Sequence, residues 1–145
     1  MPGPPLLTYE DVATRLRIAV NRLQRKLRQQ SLGGLSPAQA SALGTVNRLG
    51  RPTLGELAAI EQVQPPSMTR IVANLADAGM VVRETDAADR RSVRVRLTPA
   101  GARALERMRT AKNAFLLRRL GDLSTDEQRR AEDLVGLLEH LLAEP

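Results

Sequence analysis

The strongest constraint on the fold is a change of period in mid-chain. Between residues 36 and 79 the apolar residues recur at helical spacing; from Met80 the period changes, with Val93, Val95 and Leu97 alternating with Arg94 and Arg96, and from Thr98 the helical spacing returns. A segment with a 3.6-residue period does not sit still as a strand, nor one with a period of two as an amphipathic helix. The expected fold is therefore mainly α with one small β-hairpin set between helices.

The start and stop signals sharpen this. Ser36-Pro37-Ala38-Gln39 joins a capping box to Pro at the first helical position, with Leu43, Val46 and Leu49 as the expected buried face and Gly50 as the stop. Thr53-Leu54-Gly55-Glu56 is a second capping box, opening a short helix with Leu57, Ala58 and Ile60. Glu61-Gln62-Val63-Gln64 links it to Pro65-Pro66, whose fixed φ suits the first turn of a helix that faces Met68, Ile71, Val72 and Leu75 inward and ends at Gly79. Leu57, Val63, Met68 and Ile71 fall where the two helices must touch, with small Ala58 at the crossing. Met80-Val81-Val82-Arg83 then reads as a strand, and Val93, Val95 and Leu97, alternating with Arg94 and Arg96, as its antiparallel partner. The nine polar residues Glu84 to Ser92 make the tip.

Long helices flank this unit. After a Pro-rich opening expected to be disordered, Thr8-Tyr9-Glu10-Asp11 caps a helix with Val12, Leu16, Val20, Leu23 and Leu27 on one stripe, ending before Gly33-Gly34. Thr98-Pro99-Ala100-Gly101 starts a helix with Ala104, Leu105, Met108, Ala111, Leu116 and Leu120. Ser124-Thr125-Asp126-Glu127 caps a last one bearing Ala131, Leu134, Leu137, Leu138 and Leu141. These stripes exceed what a small winged unit can cover, and long leucine stripes do not stay in water, so a partner chain is expected on them.

Composition removes several functions. A chain of 145 residues is one ordinary domain, too short for a two-domain enzyme with its own cofactor module. With no Cys there is no disulfide, Cys-ligated zinc or thiol chemistry, and one Tyr, one Phe and no Trp leave little for stacking a base or flat cofactor. The opening Met1-Pro2-Gly3-Pro4-Pro5 lacks the order of an export signal, and no run of about 18 apolar residues could span a bilayer, so a cytoplasmic chain with no membrane partner is expected. Twenty-two basic against 16 acidic residues give +6, and nearly all the cations are Arg, the side chain suited to phosphates and base edges. Codon bias gives the same excess without function, so charge alone does not decide for nucleic acid.

The second short helix carries more information. Advancing about 100° per residue, its apolar side leaves Pro66, Arg70 and Ala73 opposite, flanked by Ser67, Thr69 and Asn74. Arg donates to guanine, Asn pairs with adenine, and Ala or Pro touches a thymine methyl. Ser67 and Thr69 are placed to hold phosphates near the helix start, where free amides are also expected to point outward. A solvated face without a partner is the alternative, although such faces usually carry more charge. In the hairpin tip Arg90 and Arg91 end a projecting lever suited to a narrow A·T-rich minor groove. Asp89 beside them is expected to orient one Arg by an ion pair, or else to be an ordinary turn acid.

An enzyme is not expected. The sole histidine, His140, falls near the end of the last helix, no Ser-His-Asp constellation or phosphate-cradling glycine loop is present, and Glu132-Asp133 reads as a solvated pair. No catalytic, cofactor-binding or metal-binding residue is assigned.

These residues resemble the multiple-antibiotic-resistance regulator (MarR) family of bacterial transcription factors. The resemblance runs through the first helix, Ser36-Pro37, Thr53 to Ala58, Pro65 to Leu75, Ala78 to Arg83, and the wing from Asp86 through Asp89-Arg90-Arg91 to Val95-Arg96-Leu97-Thr98-Pro99-Ala100-Gly101. It implies a winged helix-turn-helix that binds double-stranded DNA as a homodimer on a palindromic operator, represses nearby genes, and is relieved by a small-molecule effector held between the dimer and DNA-binding regions. The expected organisation is a tail and dimerisation helix over 1–34, the DNA-binding domain over 35–100 and C-terminal dimerisation helices over 101–145. Two departures stand out: without Cys, peroxide sensing by thiol is closed, and only Tyr9 and Phe115 offer rings to an effector cavity. The rival reading is a sequence-indifferent DNA architectural protein.

Overall fold

The computed structural model describes residues 7–30 and 32–143; the expectation of a disordered Pro-rich opening lies outside the described residues. Eight elements follow in order: α1 (Tyr9–Arg28), α2 (Pro37–Leu49), α3 (Leu54–Glu61), α4 (Pro65–Asp77), β1 (Val81–Thr85), β2 (Val93–Leu97), α5 (Pro99–Gly121) and α6 (Thr125–Leu142). The fold is the expected one, mainly helical with a two-stranded antiparallel wing.

Polar caps set most helix starts. Thr8, Ser36, Thr53 and Ser124 each accept from the amide three residues on, while Asp11, Gln39, Glu56 and Glu127 accept from the cap amide in return. Each such cap contributes on the order of 1 kcal/mol. α4 starts differently, on Pro65 and Pro66 with no side chain capping it. It ends on a glycine-dependent motif: Gly79, at φ 74°, donates to Ala76 O and Met80 N donates to Leu75 O. Met80 is thereby a turn residue, and β1 begins one residue later than the sequence suggests.

The core gathers Leu43 and Val46 of α2, Leu57 and Ala58 of α3, Met68, Val72 and Leu75 of α4, Val81, Val95, and Ala104 and Met108 of α5. Val63 and Ile71 pack at its edge. Leu49, expected in that core, is 45% exposed: it is the last residue of α2 and has no cover there, while Ala42 and Thr45 are buried higher on the same helix. Ile60 of α3 is likewise exposed.

The strands pair from Val81↔Leu97 to Thr85↔Val93, so Glu84 and Thr85 belong to the sheet and the tip shortens to Asp86–Ser92. Behind the wing, Thr98 joins three segments. Its amide donates to Met80 O (3.0 Å), its hydroxyl donates to Gly79 O (2.6 Å), and the same oxygen accepts from Gly101 N (3.1 Å). A Cβ on Gly101 would overlap the Met80 carbonyl oxygen and lie 2.8 Å from Leu97 Cδ1. The Leu-Thr-x-x-Gly spacing is thus a weld between the end of α4, the wing and α5.

Outside the winged unit the packing changes. Neither α1 nor α6 has a buried residue. Leu23 is 46% exposed and Leu141 66%, and α5 buries residues only in its first half. Among the described residues no helix is long and apolar enough to cross a membrane.

Candidate nucleic-acid interface

α4 is held by its buried side, Met68, Val72 and Leu75, against α2 and α3. This leaves Pro66, Ser67, Thr69, Arg70 and Asn74 exposed, with Ala73 half-buried at the margin. None of the ion pairs between described residues involves Arg70. The turn before α4 contains Gln62 in the left-handed region at φ 55°, a conformation that costs a non-glycine residue on the order of 1 kcal/mol. It is stabilised by Val63 N donating to Ala58 O (3.0 Å).

The helix start differs from expectation. Pro65 and Pro66 have no amide hydrogen, and Ser67 N donates to Gln64 O (3.0 Å), so the expected outward amides are absent. The proline that suits the first turn also removes the donors an anion would use. Thr69 Oγ1 donates to Pro65 O (3.0 Å), which turns its proton back along the helix; the Ser67 hydroxyl is exposed beside it.

Arg90 and Arg91 are exposed at the wing tip, and neither enters an ion pair with a described residue. Asp89 makes no ion pair with either of them. Its Oδ1 accepts instead from Arg91 N (3.0 Å) and its carbonyl from Ser92 N (2.9 Å). An Asp reaches the amide two residues on more readily than a mobile guanidinium, and so shapes the turn through the backbone.

The ion pairs of the wing lie lower down. Asp86 Oδ2 accepts from Arg94 Nε (2.8 Å) and Oδ1 from Ala88 N (3.0 Å). Arg94 Nη1 also donates to Arg51 O (2.9 Å), in the loop joining α2 to α3. Arg51 Nη2 meets Glu84 Oε2 (2.6 Å), while Glu84 Oε1 accepts from Arg96 Nε (3.2 Å) and Nη2 (3.1 Å). The Ala88 amide and the Arg94 guanidinium hold the Asp86 carboxyl below its ordinary range; Arg96, then Arg51, do so for Glu84. The strand alternation identified Arg94 and Arg96 but not their partners. The signal was available, because each acid sits diagonally across the hairpin from its arginine.

A second polar link, also unforeseen, ties α2 to the end of α3. Both Glu61 carboxylate oxygens accept hydroxyls, from Ser41 and from the buried Thr45. A cavity of about 520 Å³ opens between α1, α2 and α5, lined by Leu27, Leu32, Leu105 and Met108 with Arg28 and Lys112 among the polar residues. Neither Tyr9 nor Phe115 lines it: Tyr9 is almost fully exposed, and Phe115 carries the Arg119 guanidinium 5.5 Å from its ring centroid.

The MarR family profile matches residues 35–93, from the start of α2 to the start of β2. An HTH-type transcriptional regulator of Mycobacterium leprae is 41% identical over 128 residues, covering 86% of this chain and 90% of that one. The chain belongs to the MarR family. Solved structures agree on the fold. A protein from Pseudomonas aeruginosa described as a transcriptional regulator shares 29% identity at a TM-score of 0.78, covering 96% of this chain and all of that one. A mutant MepR from S. aureus, solved bound to an oligodeoxyribonucleotide, shares the fold at 21% identity and a TM-score of 0.69, covering 94% of this chain and 99% of that one. This MarR-family chain is a transcriptional regulator with a DNA-binding fold, and its relatives are regulators, not enzymes.

Proposed function

We propose that the chain is a repressor that binds a palindromic operator as a homodimer, with α4 in the major groove and the wing tip in the adjacent minor groove. Arg70 reads guanine, Asn74 reads adenine, and Pro66 and Ala73 touch thymine methyls. Ser67 holds a phosphate through its hydroxyl; Thr69 reaches one only by releasing Pro65 O. Arg90 and Arg91 enter the minor groove, with Asp89 shaping the turn beneath them. Residues 35–100 form the DNA-binding domain, and residues 1–34 and 101–145 the dimerisation regions. The chain works in the cytoplasm. A small effector in the cavity between α1, α2 and α5 relieves binding by displacing α2 relative to the dimerisation helices.

The observation that carries the DNA reading is that α4 turns its uncovered polar side outward on the same winged unit whose tip presents Arg90 and Arg91, neither in an ion pair with a described residue. The MepR structure, solved bound to an oligodeoxyribonucleotide and sharing the fold, supports DNA as the partner. Selection of duplexes from a random pool tests it: a regulator enriches a palindrome and prefers it by roughly 10³-fold or more. Arg70→Ala should cost about 1–3 kcal/mol on the selected duplex and little on random DNA. Equal losses on both would exclude base reading by Arg70 and favour the sequence-indifferent architectural protein.

A further inference from the structure

The wing carries five arginines between Arg83 and Arg96, and the structure divides them by task. Arg90 and Arg91 at the tip enter no ion pair with a described residue, whereas Arg94 is committed through both Nε and Nη1 of its guanidinium. Its Nε meets a carboxylate that is only 13% exposed, and its Nη1 meets a backbone carbonyl of the loop between α2 and α3. That loop is held to the wing by one further link, Val95 N donating to Pro52 O (2.9 Å), which belongs to the bridge that pairs Thr53 with Arg94. Asp86 is bound in turn to the tip backbone: its amide donates to Ser92 O (2.9 Å), closing the loop from which Arg90 and Arg91 project.

We propose that Arg94 is a positioning residue for DNA recognition, fixing the height and angle of the wing tip relative to the helix-turn-helix by clamping Asp86 to the α2–α3 loop without itself touching DNA. This rests on the reading of Arg90 and Arg91 as minor-groove contacts. The physical reason lies in the geometry of a two-stranded ribbon: beyond the single bridge at Thr53 it has no third strand to set its direction, and such a ribbon is marginal by itself. The planar Arg fork holds two acceptors in fixed relation, which a single ammonium does not. A tip that swings freely loses on binding the orientational freedom that a clamped tip has already given up. Asp86→Asn and Arg94→Gln should therefore act alike, although one removes a negative and the other a positive charge.

Because the chain has no cysteine, Ala87→Cys in the full-length protein accepts a nitroxide at the tip alone. Arg94→Gln, Arg94→Lys and Asp86→Asn should each increase label mobility without DNA. Each should also weaken binding to the selected duplex about tenfold, with the salt slope of binding unchanged. Combining Asp86→Asn with Arg94→Gln should cost no more than the worse single change. The proposal falls if the label keeps its order in Arg94→Gln, if Arg94→Lys binds like the parent, or if Asp86→Asn tightens binding. It also falls if Arg94→Gln lowers the salt slope by about one, the signature of a lost phosphate contact. Should the parent select no sequence while the label still responds to all three changes, the operator reading fails and the clamp stands.

Discussion

The winged unit and the two outermost helices are built from the same aliphatic residues and the same caps, yet they end in opposite states. Leu43, Leu57 and Leu75 are fully buried within one chain; Leu23, Leu134 and Leu137 stand between 46% and 62% exposed on helices with no buried residue at all. Capping and periodicity make a helix, but burial needs something on the other side of it. In the winged unit α2, α3, α4 and the hairpin cover one another. For α1 and α6 the described chain offers only partial cover, half-burying Leu16, Leu27, Ala131 and Leu138 and burying nothing, which supports a second copy across these faces. Charge agrees with that occupant: α1 and α5 are strongly basic, while α6 carries Asp126, Glu127, Glu132, Asp133 and Glu139 against Arg129 and Arg130.

Four substitutions or conditions test the contrast. The largest effect is expected from Leu23→Asp, which places a carboxylate in the proposed seam. Dimer dissociation should rise by roughly a hundredfold or more, since an uncompensated polar group costs about 2–7 kcal/mol to bury. Operator binding should fall with it. Sedimentation equilibrium showing an unchanged dimer would place the seam elsewhere. Leu43→Ala, in contrast, should cost about 2–5 kcal/mol of stability through the cavity it opens and show no signature of a lost seam. Thermal unfolding over a range of protein concentrations separates the two.

Gly101→Ala tests the weld between the winged unit and α5. The added methyl meets a backbone carbonyl that cannot swing aside as a side chain would, so a loss of about 1–3 kcal/mol in chemical denaturation is expected. Wild-type stability would show that α5 shifts freely against the wing. The smallest effect is acid sensitivity of the wing. Glu84 and Asp86 have lowered pKa values in the folded chain, so their contribution is complete above the ordinary carboxylate range and is lost as pH falls through the lowered values. Amide exchange at the wing should accelerate only below the ordinary carboxylate range, before that of α4. Loss of wing protection near neutral pH would mean that other contacts hold it.

Local rules explain why much of this was readable in advance. A cap and its partner lie three residues apart, so Ser36 with Gln39 or Thr53 with Glu56 needs nothing remote to form. The side of α4 that turns outward follows from its period and from where Met68, Val72 and Leu75 fall. The absent amides at the start of α4 were also legible, because proline has no N–H whatever the fold. What local rules miss are bonds between segments far apart in the chain. Arg94 meets Arg51 O across 43 residues, Glu61 meets Ser41 across 20, and Leu49, the last residue of α2, is left 45% exposed.

By itself, then, the order of residues determined the elements, their caps, the family and the side of α4 that faces outward, since each depends on contacts within about one helical turn or one strand. Only the tertiary structure decided that Arg94 is also anchored on Arg51 O and that Arg51 joins Arg96 on Glu84, while Arg90 and Arg91 enter no ion pair with a described residue. Those outcomes depend on which charged groups reach one another once the hairpin has closed against the α2–α3 loop, a distance that no spacing along the chain encodes.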